Sequence, residues 1–345
     1  MSDASSIVLE VRDLCTYFVV RPSLLDTFAG RKPGFIRAVD GVSFSLGEGE
    51  VLAIVGESGC GKTTIARTLI GLEERTHGGI TFRGRTLRTI QDRGVYSDSA
   101  SKSSISLNEL RQRAQMIFQD PYESLNPRAT IFEIVAEPLI VHGIAREHAE
   151  RNARVKEALE DAGLRPPEDY FLRYPHELSG GQRQRVVIAG AMVLQPELLI
   201  ADEPVSMLDV SIRAEVLNLL SELRRKRGVS ILFITHDLST VASFADRIVV
   251  MYLGRIVEFG PAREVLSNPQ HPYTRALISV IPVPNPRQRR DHIILQGETP
   301  NPIHLPSGCR FHPRCPVAEE ACKLIDPEMV QVGESHQAAC LLLKK

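Results

Sequence analysis

Residues 50–70 constrain the fold of this chain more than any other stretch. The segment Glu50–Val55 is an apolar run with the length of a buried strand, and residues 56–64 follow it as Gly-Glu-Ser-Gly-Cys-Gly-Lys-Thr-Thr. These nine residues match the pattern G-x-x-x-x-G-K-[ST], and Ile65, Leu69 and Ile70 then have the spacing of an amphipathic helix. A strand, a glycine loop and a helix in this order predict an α/β fold with a phosphate-binding loop.

The loop has the chemistry of a site that binds a nucleoside triphosphate. Its glycines allow several backbone N–H groups to point at one centre, and the following helix N-terminus adds the positive end of its dipole. We expect Lys62 to reach the β and γ phosphates of ATP and Thr63 to hold Mg²⁺. Cys60 is interpreted as a small residue in a permissive position. The predicted nucleotide contacts are Gly56, Glu57, Ser58, Gly59, Cys60, Gly61, Lys62, Thr63 and Thr64.

The remaining strands predict a mainly parallel sheet with a helical insert. Strand character recurs at Glu197–Ala201, Ser230–Thr235 and Arg247–Tyr252, with helical stretches between these segments. Residues 121–174 instead repeat apolar side chains at helical spacing, as in Ile131, Ile134, Val135 and Leu139. Three further expectations are a single short strand over residues 80–87, a surface insertion over residues 21–34 and an exposed loop over residues 91–106.

A pair of adjacent carboxylates follows a second buried strand. Leu198–Ala201 is apolar and delivers Asp202 and Glu203 at its carboxyl end, where open α/β sheets bind their ligands. Asp202 is suited to face the metal, and Glu203 to orient or deprotonate an attacking water. The alternative is an ordinary solvated loop end.

A second glycine segment lies before another helix. Residues 178–185 read Leu-Ser-Gly-Gly-Gln-Arg-Gln-Arg, and apolar helical residues begin at Val186. Such a segment forms an anion-binding helix end. Since the first loop already holds one triphosphate, this segment needs a phosphate from elsewhere, which a partner subunit can supply.

With these motifs the chain resembles the nucleotide-binding subunit of an ABC transporter, and residues 178–182 resemble that family's signature. The resemblance implies a P-loop NTPase with an ABC-type RecA-like core, an antiparallel β subdomain and a helical subdomain at about 122–178. It also implies that Ser179, Gly180, Gly181 and Gln182 complete the nucleotide of a second ATPase subunit.

Three other positions match landmarks of this family. Gln119 matches the glutamine that touches metal and water and relays to the membrane subunit. Asp209 matches the D-loop aspartate, although Met207 stands where alanine is commoner. His236 matches the switch histidine near the γ-phosphate. The expected catalytic group is therefore Glu203 with His236, Lys62 and Gln119, and the expected Mg²⁺ ligands are Thr63, Gln119 and Asp202.

The adenine ring is expected to stack on an aromatic side chain of the first strand. Phe18 occupies the position that this role has in the family, and Tyr17 is the alternative because the strand register is open. A lone aromatic residue in an edge strand also often belongs to the core.

The second half of the chain is similar to one branch of the family. Residues Ser267–Leu277 and Gly308–Pro316 resemble the segment that follows the ATPase core in importers of oligopeptides and dipeptides. This predicts an ATPase domain at 1–260 and a small, Cys-rich C-terminal domain at 261–345. Peptides are the expected cargo, with nickel, glutathione or oligosaccharides as alternatives, and a soluble ABC ATPase that acts on nucleic acid is the rival class.

Four cysteines are concentrated in this tail: Cys309, Cys315, Cys322 and Cys340. Their spacing, C-x5-C-x6-C-x17-C, lacks the paired C-x2-C of ordinary zinc modules and does not name a metal. The tail has too little periodic apolar sequence for a large core, so a bound ion would supply folding energy. The resemblance implies a [4Fe-4S] cluster, with zinc or unligated thiols as the alternatives.

Composition argues against two kinds of partner. The 41 Lys and Arg residues almost cancel the 42 Asp and Glu residues, which removes the positive field that non-specific nucleic-acid binding needs. The longest apolar runs are shorter than the ~20 residues that span a bilayer. We therefore expect a peripheral protein on the cytoplasmic face of the membrane. The resemblance implies a second ABC ATPase, by preference a paralogue in a heterodimer, two permease subunits and, indirectly, an external substrate-binding protein.

Overall fold

The structure is a computed structural model that describes residues 7–20, 34–88, 103–281 and 292–344. In these ranges the strands are β1 (Ile7–Val20), β2 (Gly34–Gly47), β3 (Val51–Val55), β4 (His77–Phe82), β5 (Arg85–Leu87), β6 (Ser104–Ile105), β7 (Ala114–Ile117), β8 (Leu198–Asp202), β9 (Ser230–Thr235), β10 (Arg247–Tyr252), β11 (Arg255–Pro261), β12 (Val330–Gln331) and β13 (Gln337–Ala338).

The α-helices of the same ranges are α1 (Lys62–Leu69), α2 (Leu107–Arg113), α3 (Pro121–Ser124), α4 (Ile131–Val141), α5 (His148–Asp161), α6 (Glu168–Phe171), α7 (Gly180–Met192), α8 (Val210–Arg227), α9 (Leu238–Phe244), α10 (Ala262–Ser267), α11 (Pro272–Ser279) and α12 (Ala321–Leu324). Short 3₁₀ turns lie at Pro175–Glu177, His312–Arg314 and Leu341–Lys344. A search of the described helices finds none with the length and apolar character that a bilayer span requires.

The chain forms two compact units. The first contains Met1–Glu10, Ser45–Val51 and Thr81–Ile234, and the second contains Val11–Phe44, Leu52–Ile80 and Thr235–Lys345.

A parallel ladder forms the sheet of the first unit. Strand β8 pairs in parallel with β7 on one side and with β9 on the other, and Asp202 is the last paired residue of β8, opposite Ile234. Every residue of β8 and β9 is buried, as expected for strands covered on both faces. The predicted strands at Glu197–Ala201 and Ser230–Thr235 are confirmed.

The helical insert of the first unit has its own core. Thr130 and Glu133 form a reciprocal capping box that begins α4. The predicted apolar stripe of this helix faces inward, where α4, α5 and α7 enclose a cluster that includes Ile131, Val135, Leu139, Val155, Leu159, Val186 and Ala189. The helical periodicity predicted for residues 121–174 is confirmed.

Two of the sequence expectations for the first unit are changed. Residues 80–87 form a hairpin and not one strand, because Arg83 and Gly84 both have positive φ (49° and 73°) and make a two-residue turn between β4 and β5. At the end of the expected loop 91–106, β6 is paired and Ser106 caps α2 through the Glu109 N–H. Residues 91–102 of that loop lie outside the described residues, as does nearly all of the insertion 21–34.

The second unit places C-terminal side chains in the core that supports its phosphate loop. Strand β10 pairs in parallel with β3 and antiparallel with β11, which in turn pairs with β13. The rings of Tyr252, Tyr273 and Phe311 lie 4.7–5.4 Å apart and pack with Val55 and Val250 in one buried cluster. The predicted strand Arg247–Tyr252 is confirmed. The aromatic side chains after residue 261 thus pack against strands of the second unit.

Candidate functional site

Backbone geometry of the phosphate loop requires glycine at two positions of close approach. Gly56 and Gly61 have φ of 154° and 108°, a region that side chains rarely adopt. A Cβ atom at Gly56 would clash with the Met251 carbonyl oxygen, and one at Gly61 with the Ala38 carbonyl oxygen. The loop therefore fits against these carbonyls only as a glycine loop.

Lys62 begins α1 and turns back over the loop. Its side chain is buried, and its Nζ donates to the carbonyl oxygens of Gly56 at 2.8 Å and Glu57 at 3.0 Å. Burial raises the pKa of the neighbouring Cys60 thiol, so Cys60 is a neutral, packed side chain. Thr63 is exposed on the first turn of the helix. The loop thus carries its ammonium group folded against its own carbonyls.

Glu57, the second residue of the loop, is bound by C-terminal residues. Both carboxylate oxygens accept from Arg314, at 2.7 Å from Nη1 and 3.1 Å from Nη2. Thr299 Oγ1 donates to the same carboxylate at 3.0 Å, and the Glu57 N–H donates to the Tyr273 hydroxyl at 2.9 Å. Arg314 also lies 5.9 Å from the centre of the Tyr252 ring. The loop is therefore attached to residues that lie more than 200 positions away in the sequence.

The two candidate aromatic residues on β1 differ in their surroundings. The Tyr17 hydroxyl donates to Asp40, and its ring lies edge-on to His77. Phe18, the next residue, is 37% exposed. Burial and the hydrogen bond to Asp40 raise the pKa of Tyr17, so this hydroxyl stays protonated. Tyr17 is thus tied to its own unit, while the Phe18 ring is open to a ligand.

Three of the predicted residues lie at the carboxyl edge of the first unit's sheet. Asp202 is 2% exposed at the end of β8. Glu203 follows it with φ of 48°, a strained value for a residue other than glycine, and its N–H donates to the Ile234 carbonyl at 2.9 Å. Gln119 Nε2 lies 3.3 Å from Glu203 Oε2. The fold brings this amide and this carboxylate together.

The signature segment holds itself through local hydrogen bonds. Ser179 Oγ accepts from the Gln182 N–H at 3.3 Å, and Gln182 Oε1 accepts from the Ser179 N–H at 3.0 Å. This capping box begins α7, and Ser179 remains exposed. Gly181 is buried against Ile212. Asp209 is exposed at the start of α8, where its carbonyl accepts from Arg213 N at 2.8 Å. Both segments present helix N-termini on the first unit.

His236 lies in the turn between β9 and α9 of the second unit. Asp237 Oδ1 caps α9 by accepting from Ser239 N at 2.9 Å, and Asp237 N donates to Thr235 Oγ1 at 3.0 Å. These bonds fix the backbone on both sides of His236, whose side chain is exposed. The turn therefore presents the imidazole from a defined position.

The four C-terminal thiols interact without forming a metal-ion site. Burial, together with the smaller effects of Cys322, Cys315 and Cys340, raises the pKa of Cys309 to about 11. The Cys309 N–H donates to the Cys322 carbonyl at 2.9 Å. In the described parts of the chain, no group of three or more His, Cys, Asp or Glu side chains is arranged to hold a metal ion. The arrangement gives no support to bound zinc or a cluster, although the thiols lie within electrostatic reach of one another.

Arg314, Tyr273 and Thr299 were missed as site residues at the level of sequence. Arg314 and Tyr273 belong to the runs that resemble peptide importers, but no spacing rule links Arg314 to a glutamate 257 positions earlier. Arg310, in the same run, is also buried and donates to Asp40. Burial of an arginine indicates a paired charge, but burial is known only from the structure.

The chain matches two protein families and is similar to transport ATP-binding proteins. The family described as "ABC transporter" matches residues 39–206, and the family described as "Oligopeptide/dipeptide transporter, C-terminal region" matches residues 257–322. The oligopeptide transport ATP-binding protein AppF of Bacillus subtilis is 49% identical over 337 residues, 97% of each chain. The di/tripeptide transport ATP-binding protein DppF of Pseudomonas aeruginosa is 46% identical over 334 residues, 96% of this chain and 97% of that protein.

Solved structures agree with this assignment. The chain is similar to cbiO1 from Clostridium perfringens, part of an ABC transporter complex, with a TM-score of 0.60 and 28% identity over 76% of this chain and 92% of that one. It is also similar to a dimeric ATP-binding cassette in a post-hydrolysis state with ADP and phosphate, with a TM-score of 0.59 and 26% identity over 74% and 99% of the two chains. The chain belongs to the ABC transporter ATP-binding proteins, ATPases of the branch that carries the oligopeptide/dipeptide transporter C-terminal region.

Proposed function

We propose that this chain hydrolyses ATP to drive the import of dipeptides or oligopeptides through a membrane permease. The observation that carries the proposal is the combination of the ATPase motifs with the C-terminal region of residues 257–322. Relatives that share both parts over nearly their full length bear names of oligopeptide and di/tripeptide transport. We assign residues 1–260 to the ATPase domain and residues 261–345 to a Cys-rich C-terminal domain.

In the proposed mechanism the glycine loop and α1 bind the phosphates. Lys62 exchanges the carbonyls of Gly56 and Glu57 for the β and γ phosphates, which is favourable because ion pairs with phosphate oxygens replace hydrogen bonds to uncharged carbonyls. The N–H groups of the loop and of the first turn of α1 receive the remaining phosphate oxygens. Phe18 stacks on the adenine, since Tyr17 is engaged with Asp40. His236 contacts the γ-phosphate from its fixed turn.

Glu203 and Gln119 supply the hydrolytic groups in this proposal. Glu203 orients and deprotonates the attacking water, and the contact with Gln119 holds its carboxylate. Thr63, Gln119 and Asp202 would hold Mg²⁺, which neutralises charge on the transferred phosphoryl group when it is bound. The strained backbone of Glu203 favours a role that needs a fixed carboxylate.

The signature segment serves a second ATPase subunit. Ser179–Gln182 present a capped helix end that can accept the γ-phosphate of a nucleotide on the partner, and Asp209 lies at a second helix start of the same unit. We propose a head-to-tail pair with a paralogous ATPase, two permease subunits and an external substrate-binding protein. The chain then works peripherally at the cytoplasmic face of the membrane, and closure of the pair is passed to the permease.

For the tail we propose that Cys309, Cys315, Cys322 and Cys340 hold a [4Fe-4S] cluster. Thiolates are the soft donors that bind iron–sulfur clusters, and a tail with a small core gains folding energy from a bound group. The group would stabilise the fold of the tail and could sense oxidants. Iron and sulfide analysis of anaerobically purified protein, with its visible absorption, tests the proposal; zinc, or no metal with free thiols, would contradict it.

Substitution Glu203→Gln tests the hydrolytic assignment. MgATP binding should be retained while turnover is abolished, because the amide keeps the shape of the side chain and loses its basicity. Binding is measured by calorimetry and turnover by phosphate release in the assembled transporter. Glu222→Gln, on the exposed face of α8, is the matched control. Substantial residual hydrolysis in Glu203→Gln would contradict the role.

Substrate and partners require a transport experiment. The chain should co-purify with membrane permease subunits. Vesicles whose ATPase subunits face the lumen should accumulate labelled di- or oligopeptides when ATP is enclosed in the lumen. Uptake of nickel, glutathione or an oligosaccharide in place of peptides would contradict the assigned cargo. Recovery of the chain with RNA and without membrane subunits would contradict the transporter assignment.

A further inference from the structure

We infer that Arg314 and Glu57 form a positioning pair through which the C-terminal region controls the affinity of the phosphate loop for ATP. The inference rests on the proposed role of Lys62 in phosphate binding. It assigns a part in the ATPase reaction to residues outside the motifs of this protein class.

The ion pair between Arg314 and Glu57 has a fixed geometry. Arg314 binds both oxygens of the Glu57 carboxylate, and its side chain is only 9% exposed while that of Glu57 is 27% exposed. A guanidinium group stays charged in proteins, so the pair persists at neutral pH. A two-pronged and partly buried pair fixes both position and orientation, unlike a mobile surface pair.

The pair also acts on the backbone that holds Lys62. The Glu57 N–H donates to the Tyr273 hydroxyl at 2.9 Å, and the Glu57 carbonyl accepts from Lys62 Nζ at 3.0 Å. Glu57 is therefore held at its side chain and its N–H by the C-terminal region, while its carbonyl holds the phosphate-binding ammonium. A shift of Glu57 moves the starting position of Lys62.

The pair places a cation beside a carboxylate of the phosphate loop. A carboxylate in the second position of a phosphate loop repels a triphosphate, and this repulsion is largest where water is partly excluded. Arg314 neutralises Glu57 at a distance of 2.7 Å. Loss of Arg314 alone leaves the carboxylate uncompensated, whereas loss of both charges does not. The effects of the two substitutions are therefore coupled and not additive.

The position of Arg314 connects the pair to the rest of the tail. The 3₁₀ turn His312–Arg314 lies between Phe311, which is buried against Tyr252 and Tyr273, and Cys315. The Cys315 N–H donates to the His312 carbonyl at 3.3 Å, which closes this turn. Any event that reshapes the turn changes the anchor of the phosphate loop.

A double-mutant cycle on the full-length chain tests the inference. The dissociation constant of MgATP is measured by calorimetry for wild type, Arg314→Gln, Glu57→Gln and the double variant. We expect Arg314→Gln to weaken binding by about tenfold or more, as for one lost charge-assisted interaction. Glu57→Gln should weaken binding less, and the double variant should bind better than Arg314→Gln. In the assembled transporter the KM for ATP should rise while kcat is retained.

Controls separate this role from general stability. Lys323→Gln removes an exposed ion pair with Glu320 in the same tail and should leave ATP affinity unchanged. Arg314→Lys keeps the charge without the two-pronged geometry and should restore part of the affinity. If Arg314→Gln does not fold, the same double-mutant cycle is measured with Arg314→Lys and Glu57→Gln.

Two results would overturn the inference. One is a folded Arg314→Gln variant, with the melting temperature of wild type, that binds MgATP with wild-type affinity. The other is strict additivity of the two substitutions. Failure of the ATPase assignment is distinguishable, because wild type itself would then bind no MgATP.

Discussion

The phosphate loop and the signature segment are both glycine loops before a helix, yet they are held in opposite ways. In the phosphate loop, Glu57 is bound by Arg314 and Tyr273 from far along the chain. In the signature, Ser179 and Gln182 bond each other three residues apart. The first loop is built by long-range contacts, and the second by its own sequence.

This difference matches the tasks proposed for the two loops. A loop that must bind a tetra-anionic nucleotide by itself needs its ammonium and its N–H groups fixed before binding, since ordering them afterwards would reduce affinity. A segment that meets a nucleotide on another subunit needs an exposed, rigid helix end. Local capping is sufficient for this purpose.

Removal of the central cation should have the largest effect. Lys62→Ala deletes the buried ammonium that contacts two loop carbonyls. We expect MgATP affinity to fall on the order of 100-fold or more, and hydrolysis to be lost, as when one preorganised donor to phosphate charge is removed. Calorimetry and phosphate release measure both effects. Lys226→Ala, on an exposed helix face, is the control, and wild-type affinity in Lys62→Ala would contradict the assignment.

Substitution of glycine by alanine should reduce the free energy of unfolding much more in the phosphate loop than in the signature segment. Gly61→Ala forces a side chain into φ of 108° and against the Ala38 carbonyl, so we expect a loss of about 2 kcal/mol or more in the free energy of unfolding. Gly180→Ala meets only ordinary contacts at 3.6 and 3.9 Å and should change this free energy by less than about 0.5 kcal/mol. Urea unfolding measures both. Equal losses would show that the loops are equally constrained.

Acid should lower the free energy of unfolding through His271, at the start of the helix that carries Tyr273. Burial lowers the pKa of His271 from 6.5 to about 3. Its Nδ1 caps α11 by accepting from the Tyr273 N–H, and its backbone N–H donates to the Glu258 carboxylate. Between those pKa values the unfolded state binds more protons. Stability is therefore full above pH 6.5 and falls as pH drops toward 3, by up to about 1.4 kcal/mol per pH unit.

The matched variant for this pH dependence is His271→Asn, which keeps a capping acceptor and cannot titrate. The difference in unfolding free energy between wild type and His271→Asn, measured from pH 7 to pH 4.5, isolates the histidine from other groups. A constant difference across this range would mean that His271 is not buried in its neutral form.

Loss of the signature cap should have the smallest effect. Ser179→Ala removes one bond of the capping box and should lower the stability of α7 by about 1 kcal/mol, seen as faster amide exchange in its first turn. MgATP affinity of the isolated chain should not change. Ser221→Ala, whose hydroxyl bonds a carbonyl of its own helix, should be near neutral. A fall in ATP affinity in Ser179→Ala would contradict the local character of this segment.

Features that depend on interactions over a few residues were predictable from the sequence, and features that depend on distant contacts were not. The apolar strand β8 and the stripe of Ile131, Val135 and Leu139 were predictable because period and composition act over a few residues. The hairpin at Arg83–Gly84 was not, because an arginine in the left-handed region gives no local signal. The register around Tyr17 and Phe18 was also open, and the hydrogen bond from Tyr17 to Asp40 decides which ring is engaged.

Sequence alone determined the ATPase motifs and their order, because glycine loops and adjacent carboxylates beside apolar strands are patterns of a few residues. It also indicated the family branch, through the resemblance of residues 267–277 and 308–316 to peptide importers. Tertiary structure decided what surrounds the phosphate loop. Arg314 and Tyr273 reach Glu57 across more than 200 residues, and the rings of Tyr273 and Phe311 join the core beside Tyr252. Such contacts depend on how distant segments pack, and no pattern along the chain encodes that packing in a readable form.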